Sequence, residues 1–131
     1  MAGGTLIQGR NYVVTKASAI DLTNTGGTGL CANLTIPATG AEIVEATIIG
    51  STAGGVTTSG THQVELMNTA GAAITDDVTF AGALADDAIG GILTGNGVAA
   101  GDKGLEILFN WTEAGTVTNG AIVDVEVVWA L

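Results

Sequence analysis

The sequence predicts an all-β fold: a single-domain antiparallel β-sandwich or jelly roll of about eight strands, preceded by a flexible N-terminal arm. Composition is the first reason. Apolar residues make up 47% of the 131 positions, yet aromatics only 4%, and 21 positions are glycine. A core of small aliphatic and β-branched side chains suits a pleated sheet better than a helix bundle, because Gly and Thr rank low in helix propensity while Val, Ile and Thr pack well on strands. Alternation is the second reason. In "GAIVDVEVVWAL", Gly120 to Leu131, residues Ala121, Val123, Val125, Val127, Trp129 and Leu131 share one side of an extended chain, and Asp124 and Glu126 take the other. Turn signals at regular intervals are the third.

Met1 to Gln8 is small and glycine-rich and reads as an arm, so the chain divides into an arm over 1–10 and a sandwich domain over 11–131. Tyr12, Val13 and Val14 start a strand, with Ile20 and Leu22 in a second short one, and "NTGGTG", Asn24 to Gly29, reads as a loop. Leu30, Ala32, Leu34 and Ile36 alternate along a strand that Pro37 ends, since proline cannot donate to a ladder. "AEIVEATIIG", Ala41 to Gly50, is apolar on both faces and reads as a central strand. His62 to Met67 is a further strand, and "NTAG", Asn68 to Gly71, turns it into a hairpin with "AAITDDVTF". Ala85 to Gly104 contains six glycines and reads as the longest irregular region, with room for a helical turn over Leu84 to Ala88. Leu105, Ile107, Phe109 and Trp111 form one face of a strand whose expected antiparallel neighbour is the closing strand, after a loop over Glu113 to Gly120.

A chain of this length buries roughly two-thirds of its unfolded surface, enough for one core. Its charge is one-signed: 13 acids against Arg10, Lys16 and Lys103, a net −10. Nucleic acid and anionic membrane surfaces are therefore poor partners, because both demand clustered cations. No segment approaches the roughly 20 apolar residues of a membrane span, and "MAGGTLIQGR" lacks a signal-peptide core, so synthesis in a cytoplasm is expected.

Reactive groups are few. Cys31 has no second cysteine to pair with and reads as a small, at least half-buried thiol. Asp76-Asp77 and Asp86-Asp87 are the only carboxylate pairs; they lack the spacing of a calcium loop, and neighbouring strand side chains diverge, so they read as solvated acids. His62, the only histidine, reads as a surface or edge residue, since no nucleophile motif accompanies it. The sequons at Asn33 and Asn110 fall inside strands, and "GGTG" and "GNG" lack a phosphate-loop context. Trp111 and Trp129 lie on the apolar phases of their strands and read as core, the alternative being a stacking platform for sugars. No catalytic residue, cofactor or metal ion is expected.

The segment "KGLEILFNWTEAGTVTNGAIVDVEVVWAL" resembles the C-terminal hairpin of small tailed-bacteriophage virion proteins, above all head decoration or capsid cement proteins. "AEIVEATIIG" and "HQVELMNTAG" share the same bias toward Gly, Ala, Thr and Val, and the resemblance extends over Tyr12 to Leu131. It implies a non-enzymatic virion structural protein, made in the host cytoplasm, that assembles as a homotrimer on the outer capsid surface and clamps the major capsid protein. A phage tail or fibre subunit, or a carbohydrate-binding β-sandwich module, is the alternative. A terminal strand that stays apolar to Leu131 fits an oligomer that shields it, or a central strand of a monomer. Capsid contacts are expected from the arm, through Leu6, Ile7 and Arg10. With few cations on offer, apolar burial and backbone hydrogen bonds should hold the arm rather than long-range attraction.

Overall fold

A computed structural model describes residues 10–22, 27–52, 60–117 and 122–131. Eight strands follow one another: β1 (Tyr12–Asp21), β2 (Gly27–Thr35), β3 (Glu42–Thr52), β4 (Thr61–Met67), β5 (Val78–Ala81), β6 (Ile89–Thr94), β7 (Glu106–Ala114) and β8 (Ile122–Ala130). They form two four-stranded sheets, ordered β1-β8-β3-β6 and β2-β7-β4-β5, with every pairing antiparallel. Partners are nested in sequence: β1 with β8, β2 with β7, β3 with β6, β4 with β5. The chain thus behaves as one long antiparallel ribbon rolled up so that successive partners fall in alternate sheets.

Alternation dictates the inner faces. Ala46 and Ile48 of β3, Leu93 of β6 and Val123, Val125, Val127 and Trp129 of β8 meet Val64 and Leu66 of β4, Phe80 of β5 and Ile107 and Phe109 of β7 in one core. Trp129 is its largest fully buried side chain, and its indole Nε1 donates to Thr15 Oγ1 of β1 at 2.6 Å. That bond gives the single polar atom of the ring a partner where none of the surrounding aliphatics could supply one. Thr75, also buried, accepts from the Leu66 N–H at 3.0 Å and donates to the Asp76 carbonyl at 2.7 Å.

The central position expected for Ala41 to Gly50 is observed, with β3 lying between β8 and β6. The hairpin of β4 and β5 also forms. Asn68 caps its turn, accepting through Oδ1 from the N–H groups of Ala70 and Ala72, while Gly71 donates to the Asn68 carbonyl at 2.9 Å.

Four expectations are corrected. β8 does not pair with β7; it sits between β1 and β3 in the opposite sheet, because period-two alternation marks a face but not a neighbour. β1 is one strand and not two, interrupted by a bulge between Ala17 and Ile20 where Ala19 adopts a φ of 57° and donates its N–H to Asp124 Oδ1 at 3.0 Å. The expected loop Asn24 to Gly29 already belongs to β2 from Gly27 onward, while Asn24 to Gly26 lie outside the described residues. Finally, the glycine-rich stretch after Ala85 contains β6. A Cβ on Gly91 would approach Val78 Cγ2 to 2.3 Å, and one on Gly90 would press on Phe80 and Leu84, so these glycines let β5 close against β6. Before it, Leu84 to Ala88 forms a hydrogen-bonded turn rather than a helix, with Ala88 donating to the Ala85 carbonyl at 3.2 Å.

Candidate functional site

His62 departs most from expectation. Its register places it opposite Glu113 on β7 and Phe80 on β5, on the inner face of β4, and it is fully buried rather than at a surface or edge. Alternation from Val64 and Leu66 puts it on the core phase, which its polarity obscures. The imidazole stands 5.5 Å from the Phe80 ring, and Nδ1 is 3.8 Å from Glu113 Oε1, too far for a hydrogen bond. Neither ring nitrogen has a hydrogen-bond partner. Burial depresses its pKa below the ordinary histidine value, and the nearby Glu113 carboxylate opposes this only in part. The ring is a neutral core residue, closed to any substrate.

All four paired aspartates are exposed, as solvated acids should be. Asp76 Oδ1 accepts the Thr94 N–H at 2.6 Å, tying the β4–β5 connection to β6, and Asp77 accepts from Gln63 Nε2. Asp86 and Asp87 are exposed in the turn before β6, Asp87 with a φ of 60°. Among the described residues, no group of three or more His, Cys, Asp or Glu side chains could hold a metal ion. Cys31 falls in β2, and its side chain lies outside the described residues.

A dent of about 120 Å³ on the outer face of the second sheet is lined by Gln63, Glu65, Asp77, Asn110 and Thr112. It is well below the roughly 300 Å³ at which ligand pockets begin, and Asn110 Nδ2 already donates to Glu65 Oε1 there at 3.0 Å. Trp129 is wholly enclosed and offers no platform, while Trp111 is half-buried, packed on the core edge 6.0 Å from Phe109 with its Nε1 buried. The core reading of both rings is the one observed.

Of the expected capsid contacts, Leu6 and Ile7 lie outside the described residues. Arg10 is half-buried, its Nε donating to the Leu131 backbone oxygen at 3.4 Å, and the Leu131 N–H donates to the Asn11 carbonyl at 3.0 Å. The chain therefore enters β1 beside the point where it leaves β8. This end of the sandwich also receives the β2–β3, β4–β5 and β6–β7 connections; Gly40 N–H to Gly101 carbonyl, Ala100 N–H to Ala41 carbonyl and Ile36 N–H to Leu105 carbonyl join the first to the third, and Asn96 N–H to Ile74 carbonyl joins the second to the third. The molecule thus has a terminal end, held by backbone hydrogen bonds, and an opposite end at which β1, β3, β5 and β7 finish.

No protein-family model matches this sequence, and no curated protein matches it. Among solved structures, the whole chain is similar to 92% of a chain in the "Cyanophage Pam1 capsid asymmetric unit", with a TM-score of 0.58 and 17% sequence identity. At that identity, what the two chains share is a fold that extends from one end of this chain to the other.

Proposed function

We propose that this chain is a non-enzymatic structural protein of a phage virion, which decorates the outer capsid surface, contacts the major capsid protein and stabilises the shell. The observation that carries the proposal is the full-length likeness in fold to a chain of a phage capsid asymmetric unit. We read the nested strand order as a jelly roll, an arrangement used by viral capsid domains, and this supports the proposal. So does the surface chemistry, since the sole histidine is sealed in the core and Asp76 and Asp77 are engaged by backbone and amide donors. The homotrimer belongs to the same proposal and rests on the family resemblance alone. The apolar β8 finds both of its neighbours within its own sheet and needs no second copy to shield it.

Attachment is assigned to the arm over 1–10, with Leu6 and Ile7 as its apolar anchors and Arg10 at its root. Ordering such an arm costs roughly 1–2 kcal/mol per residue, which the burial of those side chains must offset. Cryo-electron microscopy of particles should place the protein on the outer shell, and its confinement to the tail would refute the decoration role. Deleting Met1 to Gln8 should leave the folded oligomer intact and weaken attachment, while 1 M salt should not strip the full chain. Full occupancy by the truncated protein, or release in high salt, would show that the anchor lies elsewhere.

A further inference from the structure

Asn96 stands exposed in the β6–β7 connection, and its amide is tied at both polar atoms. Nδ2 donates to the Ala73 carbonyl at 2.8 Å, and Oδ1 accepts the Val98 N–H at 3.0 Å. The Asn96 backbone N–H donates to the Ile74 carbonyl at 3.2 Å. Ala73 and Ile74 belong to the β4–β5 connection, so this one asparagine pins two connections together beside the bridge between Thr75 and Gly95. Gly97 follows with a φ of 81°, a conformation that favours glycine, and without a Cβ its nitrogen is open to the Asn96 side chain. Asn96 and Asn119 are the two asparagines that precede a glycine; Asn119 lies outside the described residues.

An exposed Asn–Gly pair carries a reaction of its own. The Gly97 nitrogen gives its proton to a solvent base and attacks Asn96 Cγ; the N–Cγ bond forms, the Cγ–Nδ2 bond breaks, and Nδ2 leaves as ammonia, closing a five-membered imide. Water then opens the imide at either carbonyl, so the sum is asparagine plus water giving aspartate or isoaspartate plus ammonia. We propose that Asn96 is a self-modifying site locked by the fold: the closed connection withholds its amide, opening of the β6–β7 connection frees it, and conversion then keeps the connection from closing as before. The lock follows from the two hydrogen bonds on the amide. Ring closure rotates the side chain about its Cα–Cβ and Cβ–Cγ bonds, which the ties to Ala73 and Val98 oppose. The ratchet follows from the product. A carboxylate has no hydrogen for the Ala73 carbonyl, so two acceptor oxygens face each other where a 2.8 Å bond stood, and a chain already at −10 gains a further negative charge.

The test is peptide mapping by mass spectrometry of the full chain aged in mildly alkaline buffer, with an isoaspartate-specific methyltransferase as a second readout. In urea, Asn96 and Asn119 should convert at similar rates. In the folded chain Asn96 should convert about tenfold or more slowly than in urea, the factor that two hydrogen bonds of ordinary strength supply. Equal rates at Asn96 in the two solvents would overturn the lock, and no conversion of Asn96 in urea would overturn the site. Asn96→Asp stands for the aspartate product, and circular dichroism checks that it folds. In it the amide hydrogens of residue 96 and Val98 should exchange about fivefold or more faster than in the unaltered chain, the effect of one lost hydrogen bond on local opening. Unchanged exchange would show that the modified connection closes as before and would overturn the ratchet. Gly95→Ala drives a Cβ into the Ile43 carbonyl oxygen, straining the connection from outside the reacting pair, and should speed conversion of Asn96 in the folded chain. Thr15→Val, on the opposite edge strand of that sheet, should not. Acceleration by Thr15→Val as large as that by Gly95→Ala would assign the reaction to global unfolding and refute local opening.

Discussion

Removing the Thr15 hydroxyl should destabilise the protein out of proportion to its size. Trp129 Nε1 donates to Thr15 Oγ1 at 2.6 Å, and the indole is otherwise enclosed by apolar side chains of both sheets. Thr15→Val keeps the shape of the side chain but leaves the indole N–H buried without an acceptor, which costs about 1–3 kcal/mol. For a chain of this length the midpoint of about 2 kcal/mol corresponds to a fall of about 8 °C in Tm. A double-mutant cycle isolates the bond. In a Trp129→Phe background there is no N–H to strand, so adding Thr15→Val should cost little, and the coupling energy between the two sites should reach about 1 kcal/mol or more. Urea unfolding followed by far-ultraviolet circular dichroism measures all four forms without relying on the tryptophan signal, and an unchanged m-value would exclude an effect on the unfolded chain. If Thr15→Val costs the same in both backgrounds, or less than about 0.5 kcal/mol in the unaltered one, the bond does not hold β1 to β8 and the reasoning fails.

His62 should make stability depend on pH in a definite direction. Its pKa in the folded protein is depressed by burial, so the unfolded state binds the proton more readily; the folded state keeps its full margin above the ordinary histidine pKa of about 6.5 and loses it as pH falls below that value. Relative to His62→Leu, the protein should therefore lose stability progressively on acidification, and a constant difference from pH 8 to pH 5 would disprove this. Glu113→Gln removes the nearby carboxylate that raises this pKa, and should deepen the acid loss without altering stability at pH 8, as chemical denaturation at the two pH values would show. Gly95→Ala should cost about 1–3 kcal/mol, because its Cβ would fall 1.5 Å from the Ile43 carbonyl oxygen, forcing apart a contact that the Gly95 N–H to Val44 carbonyl bond at 3.1 Å holds closed. An unchanged unfolding midpoint would show that the connection yields freely.

Faces were legible in this sequence where neighbours were not. The apolar phase of "IVDVEVVWA" identifies the buried side of β8 residue by residue, from Val123 to Trp129, and the two-sided apolarity of "EIVEATIIG" marks β3 as central. Nothing in either pattern states that β8 lies between β1 and β3, since that choice is made by chain topology over separations of about a hundred residues. β6 is illegible in the sequence for a different reason. Its "IGGILT" carries glycines where a strand ordinarily carries bulk, and their purpose is visible only once Val78 and Phe80 of β5 are seen against them. His62 was hidden by its chemistry: a polar side chain on an apolar phase looks like a departure from the pattern, and only packing shows that it obeys it. Asp76 is exposed as its chemistry suggests, but the pattern gives no sign that its carboxylate accepts the Thr94 N–H.

The nested strand order also sets a schedule. In the first sheet, β1 and β3 have no hydrogen bonds to each other and are joined only through β8, which is the last of the eight strands to be synthesised. Until Ile122 to Ala130 have been made, β1 lacks its sole partner in that sheet, and the core lacks its largest buried side chain, Trp129. A polypeptide with such distant pairings folds slowly, since loop-closure entropy must be met before the contacts form. The first sheet therefore closes only once β8 is available, and until then β1 and β3 expose apolar edges. The surplus of carboxylates, carried on strands and connections alike, gives such chains a like charge that opposes their association while those edges are open.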